Sequence, residues 1–483
     1  MAKSKVNEVE VGEAPLERFR TLVGPRVWSE LERSLAQLKA ALRGHVLWNV
    51  NSTAQGGGVA EMLASLIPYE RGVGIDERWV VIEGSTDFFN ATKRIHTMLH
   101  GVESDGGMLT DDERRAYDEA TTRNLDALAE VIQPGDVVIL QDPQTAGLTN
   151  GLRARGIKVV WRSHVGVDSP NEVVRGAWEF MRPYLRDASA YVFSRGAYVW
   201  EGLDESRVRI MAPCIDPFAT KNQDITFSSG VAILKAAGVL PGKDGQATFM
   251  RHDGTSGRVT RSAHVEDATP LPSDAQVVLQ VSRWDRLKDH AGVMESFVRY
   301  IAPRTDAFLV LAGPAPTSVK DDPEQPEILD DLRRRHAALP PSMHGRVVIA
   351  QLPMQDIDEN AAVVNALQRR AAVVVQKSIA EGFGLTVAEA MWKSRPVVAS
   401  RVGGIEDQIE HGKSGLLVDD ATDLKAFGDA VVSVLADSRL ARRLGAQARR
   451  RVIHKFISPC HLMEQARLVL DVIGKPDNAP ANL

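Results

Sequence analysis

Short apolar runs alternate along this chain with amphipathic stretches of helical length. In the first half the runs are His45–Val50, Trp79–Ile82, Val137–Leu140, Lys158–Trp161, Ala190–Phe193 and Val208–Met211, each the length of one buried strand. Stretches with helical spacing lie between them, among them Val59–Tyr69, Asp112–Ile132 and Glu172–Leu185. A leading stretch, residues 15–43, puts Leu31, Leu35, Leu38 and Leu42 on one helical face. Strands alternating with helices predict a parallel sheet covered by helices on both faces.

The pattern breaks at Pro213–Phe218, which holds two prolines, and restarts with a helix around Ser229–Ala237. A polar, glycine-rich stretch, Pro241–Pro272, reads as a surface insertion. Alternation then resumes through Val277–Val281, Phe308–Ala312, Arg346–Gln351, Ala372–Gln376, Pro396–Ala399 and Gly415–Val418, with helices such as Ala291–Ile301, Ala361–Arg370 and Val387–Lys393. Helical patterns from Ala421 to Val472 and a loose tail, Lys475–Leu483, close the chain. The expected fold class is α/β, two doubly wound Rossmann-like domains in tandem. Their expected bounds are 1–216 and 217–456, with 457–483 a closing helix and tail packing back on the first. Ligands of such domains bind beyond the carboxyl ends of the strands, so a cleft between the two is the expected site.

Length and composition agree with this. A chain of 483 residues suits at least two domains, and 44% hydrophobic with 25% charged residues is the balance of a soluble, globular protein. A formal net charge of −5 offers no footprint for nucleic acid, and the runs Arg333–Arg335 and Arg449–Arg451 fall in helical patterns, where they read as solvated faces. Two distant cysteines, Cys214 and Cys460, exclude a disulfide framework and a cysteine-rich zinc site. Met1–Glu13 is polar, without the apolar core of a signal peptide, and no apolar run is long enough to cross a bilayer. The expectation is a cytoplasmic protein with neither a nucleic-acid nor a membrane partner.

Four segments could carry chemistry, each just past a strand. Gln55-Gly-Gly-Gly58 leads into a helix; its glycines allow a ligand close to the backbone, and helix N-terminal amides suit an anion such as pyrophosphate. A tight turn explains it equally well, and the spacing is not that of a nicotinamide fingerprint. Ser282-Arg-Trp-Asp-Arg-Leu-Lys288 offers Arg283 and Lys288 to a diphosphate leaving group, or is a solvated basic loop. Ser378-Ile-Ala-Glu-Gly-Phe-Gly-Leu-Thr-Val-Ala-Glu-Ala-Met391 combines a carboxylate, a glycine-rich turn and a helix start. Thr386 and Glu389 fit a capping box, which leaves Glu381 and the glycines around Phe383 unexplained. The amides of Gly384, Leu385 and Thr386 can receive phosphate, and both glutamates can accept sugar hydroxyls. Trp161-Arg-Ser-His-Val-Gly-Val-Asp168 puts a histidine at a strand end, where it is a ligand contact or a structural residue. Asp356-Ile-Asp358 precedes a helix and reads as a cap on Asp358 rather than a metal pair. No dense ligand cluster, nucleophile elbow or P-loop is present, so no bound catalytic metal is expected.

The third segment resembles the Glu-x7-Glu motif of retaining glycosyltransferases with the two-Rossmann-domain (GT-B) fold, together with Pro396-Val-Val-Ala-Ser-Arg-Val-Gly-Gly404. Within that clan the chain is similar to trehalose synthases of the glycosyltransferring type. The similarity is carried by Asn49-Val-Asn-Ser-Thr-Ala-Gln-Gly-Gly-Gly-Val-Ala-Glu61, Val81-Ile-Glu-Gly-Ser-Thr-Asp-Phe-Phe-Asn-Ala-Thr-Lys93, Gln141-Asp-Pro-Gln144 and Glu389-Ala-Met-Trp-Lys393. The insertion Gly242–Asp267 departs from the compact pattern, and Gln141 stands where the pattern has histidine.

The resemblance implies a retaining transfer of glucose from ADP-, UDP- or GDP-glucose to free glucose, giving α,α-trehalose, with the reverse reaction admitted. Gly57 and Gly58 would approach the donor phosphates, Arg283 and Lys288 neutralise them, Glu389 hold the ribose, and Glu381 a hydroxyl of the transferred glucose. His164 would lie beside that sugar, and Asn51, Glu83, Asp142 and Asp168 would contact the acceptor. It implies no required cofactor and Mg²⁺ as an optional activator; the N-terminal helix admits a homodimer, or packs on its own domain. A retaining trehalose phosphorylase is the rival within the fold. A glycoside hydrolase using Glu381 and Glu389, or a non-catalytic nucleotide-sugar-binding protein, are the rivals outside it.

Overall fold

The computed structural model describes residues 6–54, 57–103, 107–242, 246–266, 271–316 and 324–474. The chain forms two compact units, one of Met1–Cys214 with Ile457–Leu483, the other of Ile215–Phe456.

The first unit is built on a seven-stranded sheet: β1 (Asn7–Val9), β2 (Leu47–Asn51), β3 (Glu77–Val81), β4 (Val137–Gln141), β5 (Lys158–Ser163), β6 (Ala190–Phe193) and β7 (Val208–Ile210), in the order β1-β3-β2-β4-β5-β6-β7. Six strands are parallel; β1, which the hydrophobic pattern does not reveal, pairs antiparallel on the edge. Leu47, Val50, Val138, Leu140, Val159, Val160 and Phe193 are buried on both faces, which is why these strands read as continuous apolar runs rather than alternating ones. The leading stretch is a short 3-10 turn, Leu16–Phe19, and a helix, Pro25–Ala41, separated where Gly24 and Pro25 set a helix start. The closing helix, Ser458–Gly474, packs against Pro25–Ala41 within this unit. The helix Thr86–Leu99 begins at Ser85, whose side chain accepts from the Phe88 amide.

The second unit repeats the plan: β10 (His264–Val265), β11 (Val277–Val281), β12 (Phe308–Pro314), β13 (Val347–Leu352), β14 (Val373–Gln376), β15 (Val397–Ser400) and β16 (Leu416–Val418), ordered β10-β13-β12-β11-β14-β15-β16. The described part of the expected surface insertion is structured. It forms a hairpin, β8 (Thr248–Met250) with β9 (Ser256–Arg258), and β10 adds an antiparallel edge to β13. Phe249 is buried, and Arg251 donates to both oxygens of Asp356 at 2.9 and 2.6 Å. Polar composition concealed this because the buried apolar residues, Ala247, Phe249 and Val259, are too scattered to form a run, and ion pairs tie the hairpin to the start of helix Ile357–Arg370. Asp356, not Asp358, caps helix Ile357–Arg370, accepting from the Glu359 amide; Asp358 instead accepts from Thr220 at 2.9 Å. The run Arg449–Arg451 is only partly a solvated face: the Arg449 guanidinium lies 3.7 Å from the Trp392 ring centroid, and Arg451 donates to the Gln408 carbonyl.

Each sheet has one switch point, where strands leave in opposite directions and crevices open at the carboxyl edge. It lies between β2 and β4 in the first unit and between β11 and β14 in the second. All four candidate segments are at the carboxyl ends of strands, and three of them follow a switch-point strand.

Candidate active site

In the second unit the two switch-point loops are tied together. Gln280, fully buried near the end of β11, donates to the Lys288 carbonyl at 2.8 Å and accepts the Lys377 amide at 3.4 Å. The Ile379 amide donates to the Leu287 carbonyl at 2.8 Å. Asp285 caps the turn Arg286–Lys288, which brings the Lys288 ammonium 2.7 Å from Glu381 Oε2. Ser378 Oγ donates to the same oxygen at 3.1 Å. Both bonds fall on Oε2 of Glu381. Arg283 is half-exposed, 3.9 Å from Asp285.

Gly384 sits at φ +84°, a left-handed turn that glycine takes without strain, and heads helix Leu385–Trp392. The amides of Leu385 and Thr386 therefore belong to the first turn, where helix donors lack intrahelical partners. The capping box does not form: Thr386 Oγ1 donates to Gln376 at 3.1 Å instead. Glu389 is buried, with Gln368 donating to Oε2 at 3.1 Å and Lys221 lying 3.6 Å from Oε1. One turn on, burial pushes the Lys393 ammonium down to about 7, and it donates to Asn222 at 2.9 Å. Buried Lys377 pairs with Asp289. The sequence argument missed Gln280 and Lys377; a polar residue inside an apolar strand run was the signal for the first.

In the first unit, Gly57 caps helix Gly58–Gly72 at φ +147°, and a Cβ there would meet nothing within 4 Å. Gly56 lies outside the described residues. Asp142 follows β4 at φ +64°, unusual for a residue with a side chain. Its Oδ1 accepts the His164 amide at 2.8 Å, and its carbonyl accepts Trp161 Nε1 at 3.1 Å. His164 Nε2 is 2.9 Å from Gln141 Oε1. Burial holds His164 well below the usual imidazole range, helped by the nearby Arg162 charge. His164, Asp142 and Gln141 therefore form one cluster. Asn51 contributes less to it: its Oδ1 accepts Trp79 Nε1 and its Nδ2 donates to Thr53, both at 2.7 Å. Glu83 is exposed beyond β3, and Asp168 accepts from Arg195 at 2.7 Å.

Burial raises the Asp142 carboxyl to about 6 from its ordinary 3.8, against the pull of the His164 amide and the Arg162 charge. The stability linked to its proton is complete below 3.8 and is lost as pH rises through about 6. Unfolding free energy should therefore decline more steeply over that interval in the wild type than in Asp142→Asn. Equal slopes in paired urea titrations would show that the carboxyl is not raised.

Two Rossmann-like units in series, each with its candidate residues beyond the carboxyl edge of a parallel sheet, define the GT-B class of glycosyltransferase. Solved structures share that fold: trehalose-6-phosphate synthase OtsA has a TM-score of 0.66 at 13% identity, covering 89% of this chain and all of that one. An α,α-trehalose-phosphate synthase (UDP-forming) from Burkholderia vietnamiensis has a TM-score of 0.66 at 14% identity, covering 90% of this chain and 98% of that one. The family described as "Trehalose synthase, N-terminal domain" matches residues 49–200, and "Glycosyl transferases group 1" matches residues 264–451. The chain belongs to the trehalose synthase family. It is 33% identical to a trehalose synthase of Pyrococcus horikoshii, over 97% of this chain and 99% of that protein. A trehalose phosphorylase of Pleurotus pulmonarius is 26% identical over 90% of this chain but 58% of its own length.

Proposed function

We propose that this glycosyltransferase moves glucose, with retention, from a nucleoside-diphosphate glucose to the anomeric hydroxyl of free glucose, releasing nucleoside diphosphate and forming α,α-trehalose. The observation that carries the reading is the Lys288–Glu381 pair beside the glycine-headed helix Leu385–Trp392, at the switch point of the second unit. A cation, a pinned carboxylate and free amides at one sheet edge suit a sugar diphosphate.

In this reading the C1–O bond to the diphosphate lengthens first, leaving an oxocarbenium-like sugar. Arg283 and Lys288 stabilise the charge that gathers on the leaving oxygens. The acceptor hydroxyl attacks from the same face, and its proton passes to a phosphate oxygen. Glu381, held by Lys288 and Ser378, accepts a hydroxyl of the transferred glucose; Glu389 holds the ribose. His164 stays neutral beside that glucose, with Asp142 on the acceptor side. Full-length relatives named trehalose synthase support the product, and the phosphorylase relatives are more distant.

The deciding experiment supplies ADP-, UDP- and GDP-glucose separately with free glucose and reads the product by NMR. α,α-Trehalose formed with one or more of these donors is the expected result. A product inverted at the transferred carbon would reject the same-face route. Glucose 1-phosphate released from trehalose only with orthophosphate would make the protein a phosphorylase, and trehalose hydrolysis without nucleotide a hydrolase.

A further inference from the structure

A chain of polar side chains crosses the first sheet from the start of β3 to the end of β5. At its deep end Glu70, in helix Gly58–Gly72, and Glu77, opening β3, are both fully buried. Gln465 of the closing helix donates to Glu70 Oε2 at 2.7 Å and to Glu77 Oε1 at 3.2 Å. Asn49 in β2 donates to Glu77 Oε1 at 2.7 Å, Gln141 ending β4 donates to Asn49 Oδ1 at 3.2 Å, and Gln141 Oε1 meets His164 Nε2 at 2.9 Å. Burial raises both carboxyls, and Glu70 rises further because it also faces the Glu77 charge. Glu77 Oε1 accepts from both Asn49 and Gln465, so the oxygen that faces β2 is an acceptor.

An amide side chain has one donor end and one acceptor end. Two amides in series accordingly transmit a direction. Because Glu77 Oε1 accepts there, Asn49 turns its NH₂ toward it and its oxygen toward Gln141. Gln141 must then turn its NH₂ toward Asn49 and its oxygen toward His164. The imidazole can complete this chain only as a donor from Nε2.

We propose that Glu77, Asn49 and Gln141 are positioning residues that lock His164 in its Nε2–H tautomer, leaving Nδ1 as a fixed acceptor for a hydroxyl of the transferred sugar. This rests on the reading of His164 as a sugar contact. The closing helix takes part twice. Gln465 secures the acceptor end, and His461, one turn earlier, accepts from Arg162 at 2.9 Å, holding that guanidinium on a partner of its own. With the proton on Nε2, a donating hydroxyl is welcomed at Nδ1; with the other tautomer, it meets an N–H.

The test uses the full-length protein labelled with ¹⁵N-histidine, the His164 signals being assigned by their loss in His164→Asn. Wild type should show Nε2 protonated and Nδ1 bare without any ligand. Gln141→Met, which removes both bonds, and Glu77→Gln, which can donate and so frees the direction, should each populate the other tautomer. Each should lower kcat by about three- to tenfold, the size of one neutral hydrogen bond. The double variant should be no slower than Gln141→Met, since both changes act through one chain. Glu77→Gln alters a buried pair, so Gln141→Met supplies the same readout should the former not fold. A wild-type His164 protonated on Nδ1 would overturn the proposal. So would a lower thermal midpoint in the variants with tautomer and kcat unchanged. The tautomer is read without substrate: an Nε2–H imidazole in a protein that makes no trehalose would support the relay and reject the transferase reading instead.

Discussion

Lys288→Ala should lower kcat by about two to three orders of magnitude, the loss seen when one preorganised group facing developing charge is removed, or about 3–4 kcal/mol. Two effects add. In the proposed reaction the leaving diphosphate would lose a cation that Gln280 and Asp285 hold in place through the turn around it. Glu381 also loses its ion-pair partner at 2.7 Å, and its carboxylate is free to swing from the sugar. Lys288→Met keeps the apolar stem and isolates the charge. Steady-state kinetics should show the fall mostly in kcat, with nucleoside-diphosphate affinity by calorimetry changing less, because the charge grows in the transition state. Intact turnover in both variants would remove Lys288 from the mechanism. Arg283, half-exposed and 3.9 Å from Asp285, should give a smaller loss on replacement.

Trp161→Ala should destabilise the protein by about 3–5 kcal/mol, the usual cost of truncating a large buried aromatic. Trp161 is fully buried, and its ring packs 5.0 Å from Trp200 and 5.9 Å from Phe193 between centroids. The indole N–H also donates to the carbonyl of Asp142, which helps hold that residue at its positive φ. Trp161→Phe separates the two roles. It should retain most of the stability measured by urea unfolding, yet raise the KM for glucose, because Asp142 can relax toward an ordinary backbone conformation. An unchanged KM in Trp161→Phe would show that the core, not this bond, holds Asp142.

Much of this site was legible beforehand because donor-type chemistry is local. Glu381, Gly384 and Thr386 lie within one turn and a helix start, where the backbone alone decides which amides are free. The periodicity was legible for the same reason: strands buried on both faces leave continuous apolar runs. The polar hairpin Thr248–Arg258 and the edge strand β1 were not, because neither carries an apolar stripe. The capping motifs misled where a side chain had a better distant partner, as Thr386 found in Gln376 and Asp358 in Thr220.

The amino-acid sequence by itself determined the element types, the two-unit plan and the segments holding the candidate residues, since each depends on neighbours a few positions apart. Only the tertiary structure decided which of those residues meet: Lys288 with Glu381, His164 with Gln141, Gln465 with a pair of buried glutamates. Hydrogen-bond partners that are far apart in sequence leave no periodic trace. Their direction, and with it the tautomer of His164, follows from which acceptor lies buried at the end of the chain.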